Sequence, residues 1–208
     1  MMREDLRRRL RELGVVKGVR ELEARESGPT YAIEDLVSGR FYTTSHGQCF
    51  VAEASYPLDH LHGDLALSAF LELSSHAVAR LEQDERMAEV DLHEVCFLDT
   101  ETTGLSGGTG TMAFIVGLGF FTEDTFRLQQ YFLRDPGDEP SMVEALVNGL
   151  PAFEAIVSFN GRAFDVPIIE NRFILARAIP RLRDKVHVDL LHPARRLWRY
   201  ALPSCALT

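Results

Sequence analysis

Two acidic residues stand at the end of the apolar segment Val95–Glu101, which reads VCFLDTE. Asp99 and Glu101 are two positions apart, so in a β-strand their side chains point to the same face. The rise over two strand residues is roughly 6.6 Å, which lets the longer Glu arm lean toward the Asp and share a cation. Neighbouring carboxylates repel each other, and a hard divalent cation removes that cost. The pair therefore indicates a metal site, although two acids that merely open a polar turn would look the same.

A second polar group follows the apolar segment Ala155–Phe159, which predicts a short buried strand. Asn160 comes directly after this strand, and Asp165 stands at the start of the next predicted helix. Ligand sites in α/β sheets form where strands end and helices begin. If the two strands are neighbours, Asp165 faces Asp99 across the mouth of the sheet. Taken alone, Asp165 would be a helix cap, and Asn160 either orients a substrate or holds its own turn.

The elements that position these residues follow from hydrophobic periodicity and turn residues. After residue 93 the pattern predicts three strands, then a helix, a strand, a helix, a strand and a helix. The predicted strands are Val95–Glu101, Met112–Phe121, Phe126–Leu133, Ala155–Phe159 and His187–Leu191. The predicted helices are Pro140–Leu150, a helix with Pro167 in its first turn that ends near Ala178, and Pro193–Tyr200. Thr122–Thr125 suits a tight reversal. The order predicts an α/β fold with a mixed sheet, first antiparallel and then parallel, flanked by helices.

Residues 1–92 predict a small α+β module in front of that domain. Residues 1–14 read as an amphipathic surface helix, Tyr31–Tyr56 as short strands and Leu65–Leu81 as a helix. The run Glu82–Arg86 is charged and holds no large apolar residue, which favours a boundary there. We therefore expect two domains, residues 1–92 with an unknown role and residues 93–208 with the carboxylates.

The composition is that of a globular protein, with 46% hydrophobic and 25% charged residues. No apolar segment is long enough to span a bilayer, so we expect no membrane partner. The 3 cysteines are far apart and form no CxxC pair, which argues against a disulfide framework and favours a reducing cytoplasm. The net charge of −9 argues against a passive nucleic-acid binder, which is usually basic. It permits an enzyme that holds cations between carboxylates.

Several motifs carry a family resemblance. Phe97–Gly104 (FLDTETTG) resembles the first motif of the four-carboxylate (DEDD) exonucleases, and Phe159–Asp165 (FNGRAFD) resembles the second. Three further motifs resemble the YprB-type ribonuclease-H-like proteins of bacteria, namely Gly107–Thr111, Gln130–Leu133 and His187–Trp198. The resemblance covers residues 93–208 firmly and Gly39–Gly63 more loosely. It implies a ribonuclease-H-like mixed sheet flanked by helices, which agrees with the predicted order of elements.

The resemblance also implies two-metal hydrolysis of phosphodiester bonds with Mg²⁺ or Mn²⁺. Asp99, Glu101 and Asp165 would be the catalytic residues and the ligands of two divalent cations, with Asp99 bridging both. The family pattern needs a fourth Asp preceded by His or Tyr, and no acidic residue after Asp165 meets this requirement. Asp189, at a strand end, either approaches the metals or is a neighbouring polar anchor, and we expect the anchor. The chain ends in the middle of the pattern, so we expect a truncated domain whose fourth ligand and base lie beyond residue 208, or an inactive product.

Thr102, Asn160, Arg195 and Arg196 are assigned to substrate binding. The stretch from Arg172 to Arg199 holds eight basic residues against two acidic ones, so a basic patch would lie beside the carboxylates. The favoured function is a metal-dependent nuclease, a 3′–5′ exonuclease on single-stranded DNA or RNA, whose polarity comes from the resemblance only. The alternative is a non-catalytic nucleic-acid-binding or interaction module on the same fold. A nucleotide-binding regulator that uses the glycine-rich loop 105–111 is the weakest hypothesis.

Overall fold

A computed structural model of the chain describes residues 31–103, 111–178 and 182–205. The strands in these ranges are β1 (Gly39–Thr44), β2 (Gly47–Pro57), β3 (Leu61–His62), β4 (Leu65–Ala66), β5 (Val95–Thr102), β6 (Ala113–Phe121), β7 (Thr125–Phe132), β8 (Ala155–Ser158) and β9 (Val186–Asp189). The α-helices are α1 (Ile33–Leu36), α2 (Ser75–Glu82), α3 (Glu139–Gly149), α4 (Asp165–Leu175) and α5 (Leu191–Trp198). Short 3₁₀ helices lie at Leu67–Phe70, Glu85–Glu89, Leu92–Glu94, Pro136–Asp138, Leu150–Ala152 and Leu182–Asp184. The predicted helix over residues 1–14 and most of the glycine-rich loop lie outside the described residues.

Seven strands form one mixed sheet in the order β1-β2-β7-β6-β5-β8-β9, and β3 and β4 form a separate two-stranded sheet. Neighbouring strands are antiparallel from β1 through to β5, whereas β5, β8 and β9 run parallel. Parallel neighbours need long crossovers, and α3 and α4 occupy the crossovers that lead to β8 and β9. The predicted α/β fold with a helix-flanked mixed sheet is confirmed. Strand β5 lies inside the sheet and is paired on both sides.

The hairpin of β6 and β7 shows how local sequence determines part of this sheet. The two strands pair antiparallel from Phe121 opposite Phe126 to Ile115 opposite Phe132. Thr122 closes the turn, because its amide donates to the carbonyl oxygen of Thr125 at 2.7 Å. The predicted reversal at Thr122–Thr125 is therefore confirmed.

The sheet has a hydrophobic core on each face. Side chains alternate along a strand, so Cys96 and Leu98 of β5 join the core on the side of α3 and α4. Val95 joins the other core, where it lies with Ala79 of α2 and with Met87. Burying an aliphatic side chain of this kind stabilises the fold by roughly 1.5–3 kcal/mol. The same alternation determines on which face of the sheet the acidic residues at the end of β5 lie. Among the described residues no helix is long and apolar enough to cross a membrane.

The predicted boundary at residue 92 does not coincide with a boundary in the fold. Strands β1 and β2 belong to the same sheet as the strands after residue 93, because β2 pairs with β7 over Phe50–Pro57. Residues Ile33–Thr208 form one compact unit. The charged run Glu82–Arg86 leads into a 3₁₀ helix whose Met87 is almost fully buried, so it is a surface turn of the core and no linker.

The predicted helix over Leu65–Leu81 begins later than expected. Leu65–Ala66 is a short strand and Leu67–Phe70 a 3₁₀ helix, and α2 starts only at Ser75. The apolar residues that suggested a longer helix pack elsewhere, since Phe70 makes an edge-to-face contact with Phe97. Helical spacing alone does not distinguish this packing from a continuous helix.

Candidate active site

Asp99 and Glu101 lie at the carboxyl end of β5, and both side chains are exposed. Thr100 between them is buried, with 8% of its surface exposed, on the face of Cys96 and Leu98. The predicted placement of the two acids on one face is thus confirmed. Neither carboxylate has a hydrogen-bond or ion-pair partner among the residues the structure describes. The pairing of β5 with β6 becomes irregular between Glu101 and Thr102, so the regular ladder ends at the acids.

Asp165 reaches β5 from the opposite side of the strand. It is the first residue of α4, it is only 4% exposed, and its Oδ1 accepts a hydrogen bond from Thr100 Oγ1 at 2.5 Å. The residue before the helix is Phe164, and no side chain caps the helix there, so Asp165 is not the helix cap. An acid in the first turn is favoured by the helix dipole.

The electrostatics of Asp165 connect it to the pair on β5. Burial raises the pKa of the Asp165 carboxyl, the negative charge of Asp99 raises it further, and the hydrogen bond from Thr100 lowers it. Asp165 and Asp99 therefore interact electrostatically, although strand alternation directs Asp99 and Thr100 to opposite faces. Asp99 and Asp165 thus approach the end of β5 from opposite faces of the strand, close enough for their charges to interact.

The donor set fits a hard divalent cation by its chemistry. All three side chains offer carboxylate oxygens, the donors that Mg²⁺ and Mn²⁺ prefer. A cation beside Asp165 would offset the repulsion from Asp99 that raises the pKa of the buried carboxyl. The described residues nevertheless hold no group of three or more His, Cys, Asp or Glu side chains arranged to hold a metal ion. Metal binding by Asp99, Glu101 and Asp165 therefore stays a prediction.

Asp189 anchors the loop that connects β8 to α4. Its side chain is buried, and it accepts hydrogen bonds from the amides of Asn160 at 2.7 Å, Arg162 at 3.1 Å and Leu191 at 3.2 Å. This confirms the predicted role as a polar anchor. Asn160 has φ +67°, a left-handed conformation that Asn adopts more readily than most residues. It therefore holds its turn, which is one of the two roles that the sequence left open for it. An added Cβ at Gly161 would collide with the Ser158 side chain, so this position requires glycine.

A second buried layer behind this loop was not predicted. Ser158 Oγ and His187 Nε2 are 2.7 Å apart, and Arg162 Nη2 donates to Glu82 Oε1 at 2.8 Å. Burial and then the positive charge of Arg162 lower the pKa of His187 to about 4, so this imidazole is neutral at pH 7. Glu82 belongs to the charged run that suggested a domain boundary, and no local pattern marks it as a partner of a distant arginine.

Three of the four candidate substrate residues line two adjoining clefts. Asp99, Asn160 and Arg195 line a cleft of about 400 Å³, and Arg195, Arg196 and Tyr200 line one of about 640 Å³. The guanidinium of Arg196 also donates to the carbonyl of Leu81, so it holds α5 against α2. Thr102 is half-buried at the end of β5.

The predicted basic patch is smaller than the sequence suggested. Arg172 forms an ion pair with Glu139, and Arg183 forms one with Glu170. Lys185 donates to the carbonyl oxygen of a loop residue, Phe153. The basic residues left at the clefts are those of α5 and its end, Arg195, Arg196 and Arg199.

A family model described as the RNase H superfamily matches residues 96–208, which is more than half of the chain. The chain belongs to the ribonuclease H superfamily. Within this ribonuclease H domain the match begins in β5, one residue after Val95, so it contains every candidate site residue. The seven-stranded mixed sheet flanked by helices agrees with a ribonuclease-H-like fold.

The chain is also similar to the protein YprB of Bacillus subtilis strain 168, which is described as uncharacterized. The two are 34% identical over 161 residues, which is 76% of this chain and 39% of YprB. This chain therefore spans about two fifths of that relative's length. The aligned length exceeds the ribonuclease H match, so the similarity extends into the segment before β5 that supplies β1, β2 and α2.

Proposed function

We propose that this ribonuclease H domain is a metal-dependent nuclease that hydrolyses phosphodiester bonds. The observation that carries the proposal is the hydrogen bond between Thr100 and Asp165, because it joins the second acidic motif to the strand that bears Asp99 and Glu101. Carboxylates from two separate motifs gather at the end of one interior strand of a superfamily fold. A buried acid held beside another acid is costly, and such costs concentrate at functional sites.

Asp99, Glu101 and Asp165 would hold two divalent cations, Mg²⁺ or Mn²⁺. Bound ions of this kind supply an activated water and stabilise the leaving oxygen during phosphodiester hydrolysis. The role of the protein is to keep the three carboxylates ionised and in position. Thr100 does this for Asp165, since its hydroxyl stabilises the charged form of a carboxylate whose pKa burial raises.

The proposed substrate is single-stranded DNA or RNA, degraded from its 3′ end. Arg195 and Arg196 would contact the phosphates, and Thr102 and Asn160 would position the strand at the acids. Tyr200 supports a single strand as substrate, because its ring is 96% exposed and lies beside Arg199, whose guanidinium is 5.6 Å from the ring centroid. Unpaired bases stack on such rings, and arginine follows the backbone. Because the net charge of the chain is −9, we expect electrostatic attraction of the phosphates only at this local group of arginines.

A second function deserves a direct test, namely nucleic-acid binding without catalysis on the same fold. It is favoured by the absence, among the described residues, of an assembled cluster of three metal-binding side chains. In this case the arginine-lined clefts would retain affinity for a strand, and divalent cations would have no effect on it beyond screening.

Digestion of end-labelled oligonucleotides tests both functions. Single-stranded DNA and RNA carrying a 5′ or a 3′ label are incubated with the protein and Mn²⁺, Mg²⁺ or a chelator. We expect cleavage with Mn²⁺ that the chelator stops, and a 5′-labelled product ladder that shortens from the 3′ end. Asp99→Asn should abolish cleavage and retain strand binding. Asp124→Asn removes the same charge from an exposed turn and should cleave as the wild type does.

Binding by the wild type without cleavage under any metal condition would reject the nuclease and support the binding module. Cleavage that persists undiminished in Asp99→Asn would reject Asp99 as a metal ligand of the proposed site. Release of a single labelled nucleotide from the 5′ end would reject the proposed polarity while keeping the nuclease.

A further inference from the structure

Glu82 is a buried acid at the end of α2, outside the segment that the ribonuclease H family model matches. Its side chain is only 2% exposed, and its Oε1 accepts a hydrogen bond from Arg162 Nη2 at 2.8 Å. The other oxygen, Oε2, is buried and has no hydrogen-bond partner among the described residues. Burial raises the pKa of Glu82, and the charge of Arg162 opposes that rise.

This arrangement is a poor device for stability alone. Buried ion pairs seldom stabilise a fold more than apolar residues of the same volume, because desolvation consumes the Coulomb gain. An oxygen left without a partner adds a further cost. We therefore look for the role of the Glu82–Arg162 pair in the segment that it holds in place, which is the loop between β8 and α4.

Arg162 is the central residue of that loop and is held at three points. Its amide donates to Asp189, and its guanidinium donates both to Glu82 and to the main-chain oxygen of His187. The guanidinium therefore links α2, β9 and the loop. Arg162 is half-exposed, so its position depends on these partners and not on close packing.

The held loop carries the second acidic motif. Asn160, two residues before Arg162, lines the cleft that contains Asp99. Asp165, three residues after it, makes the buried contact with Thr100. A displacement of Arg162 would be transmitted to both residues through a few peptide units of fixed length.

We propose that Glu82 is a positioning residue of the active site: by holding Arg162 it fixes the loop that presents Asn160 to the cleft and delivers Asp165 to Thr100. The proposal rests on the proposed nuclease function for its effect on turnover. It assigns to the segment before β5 a direct part in the site. Partners one layer behind a metal-binding carboxylate typically change activity by about 10–100-fold when they are removed.

A double-mutant cycle tests this with Glu82→Ala, Arg162→Ala and the double variant, using the 208-residue chain. Glu85→Ala is the matched control, because Glu85 is an exposed acid three residues away. The first readout is amide hydrogen exchange of the peptide that covers residues 159–165, measured with excess Mn²⁺ and without it. The second is kcat and KM for single-stranded oligonucleotides.

We expect faster exchange in residues 159–165 for both single variants, and no further increase in the double variant, because Glu82 acts through Arg162. We also expect kcat to fall by about 10–100-fold with a smaller change in KM, since Arg195 and Arg196 keep their places while only Asn160 of the cleft lining is displaced. The Glu85→Ala control should match the wild type in both readouts. Glu82→Gln, which retains an acceptor oxygen for Arg162, should fall between the wild type and Glu82→Ala.

Unchanged exchange in residues 159–165 of folded Glu82→Ala overturns the proposal. So do additive effects of the two substitutions, or a KM increase with kcat unaltered. If Glu82→Ala does not fold, Glu82→Gln gives the decision by the same two readouts. A wild-type protein that cleaves no oligonucleotide rejects the nuclease function, while the exchange readout still decides whether Glu82 positions the loop.

Discussion

Replacing Thr100 by valine isolates the contact that joins the two acidic motifs. Valine has nearly the shape of threonine and lacks only the hydroxyl, so strand packing is conserved while the hydrogen bond to Asp165 Oδ1 is lost. The carboxylate remains buried without this donor. Hydrogen bonds to charged groups contribute roughly 1.5–3 kcal/mol, and the cost of leaving the partner unsatisfied is of the same size. We expect the free energy of unfolding to fall by about 1.5–3 kcal/mol at neutral pH.

The melting temperature should fall correspondingly. For a chain of this length, 1 kcal/mol corresponds to roughly 2–4 °C, so the expected decrease is about 3–12 °C. Thr100→Ser keeps the hydroxyl and loses only a methyl group, so it should lose less. Thr43→Val is the matched control, because Thr43 is an exposed residue of the edge strand β1 and should change stability by less than about 0.5 kcal/mol.

The pH dependence distinguishes this bond from an ordinary packing effect. Burial and the charge of Asp99 already raise the pKa of Asp165, so the folded state disfavours its charged form. This destabilisation is complete above the folded-state pKa, shrinks as the pH falls through that pKa, and is absent below the unfolded-state pKa. Without the Thr100 hydroxyl the folded-state pKa of Asp165 rises further. The stability lost in Thr100→Val should therefore be largest at neutral pH and should shrink in acid, where the carboxyl is protonated.

Urea denaturation of the wild type and the three variants between about pH 8 and about pH 4, close to the ordinary pKa of an Asp carboxyl, checks this in metal-free buffer. Equal losses at both ends of the range would refute the reasoning, because a packing defect does not depend on the charge of Asp165. A loss no larger than that of Thr43→Val would show that the hydroxyl does not support the carboxylate.

Three further predictions follow from the same geometry. Asp165→Asn removes a buried charge and keeps an acceptor, so it should raise metal-free stability at neutral pH and abolish cleavage; lower stability in urea would contradict this. Residues 93–208 alone lack β1 and β2 and should show no cooperative unfolding by circular dichroism, whereas residues 33–208 should unfold cooperatively. Mn²⁺ at one hundred times its Kd should stabilise the wild type by about 2.7 kcal/mol. The stabilisation should be smaller for Asp99→Asn and undiminished for Asp124→Asn. Equal shifts of the melting temperature in all three proteins would reject Asp99 as a metal ligand.

The second half of the fold could be predicted because its signals are local. The alternation in β5, the turn at Thr122–Thr125 and the helix that follows β8 each depend on residues close in sequence. The pairing of β2 with β7 could not be predicted in this way, since it brings Phe50 opposite Phe132, two residues that are far apart in sequence. Nothing in either strand specifies its neighbour, and only the completed sheet determines the register.

The candidate site divides in the same manner. That Asp99 and Glu101 share a face follows from strand geometry alone. The approach of Asp165 depends on the loop before α4, and that loop is held by Asp189 and Glu82, which come from distant segments. Sequence motifs therefore identified the acids, and they could not specify which side of β5 each acid would use.

The loop between β8 and α4 and the residues next to it have features that a chain selected only for stability would avoid. Asn160 has a left-handed backbone, Asp165 is a buried acid beside another acid, and Glu82 keeps one oxygen without a partner among the described residues. Each feature costs free energy, and all three lie on the path between Glu82 and Thr100. Unfavourable features persist where the surrounding structure enforces them, and they cluster at functional sites. Asn160 and Asp165 belong to the second acidic motif, whereas Glu82 lies outside both motifs, so its buried carboxylate is the part of this argument for chemistry at the end of β5 that does not rest on the motifs.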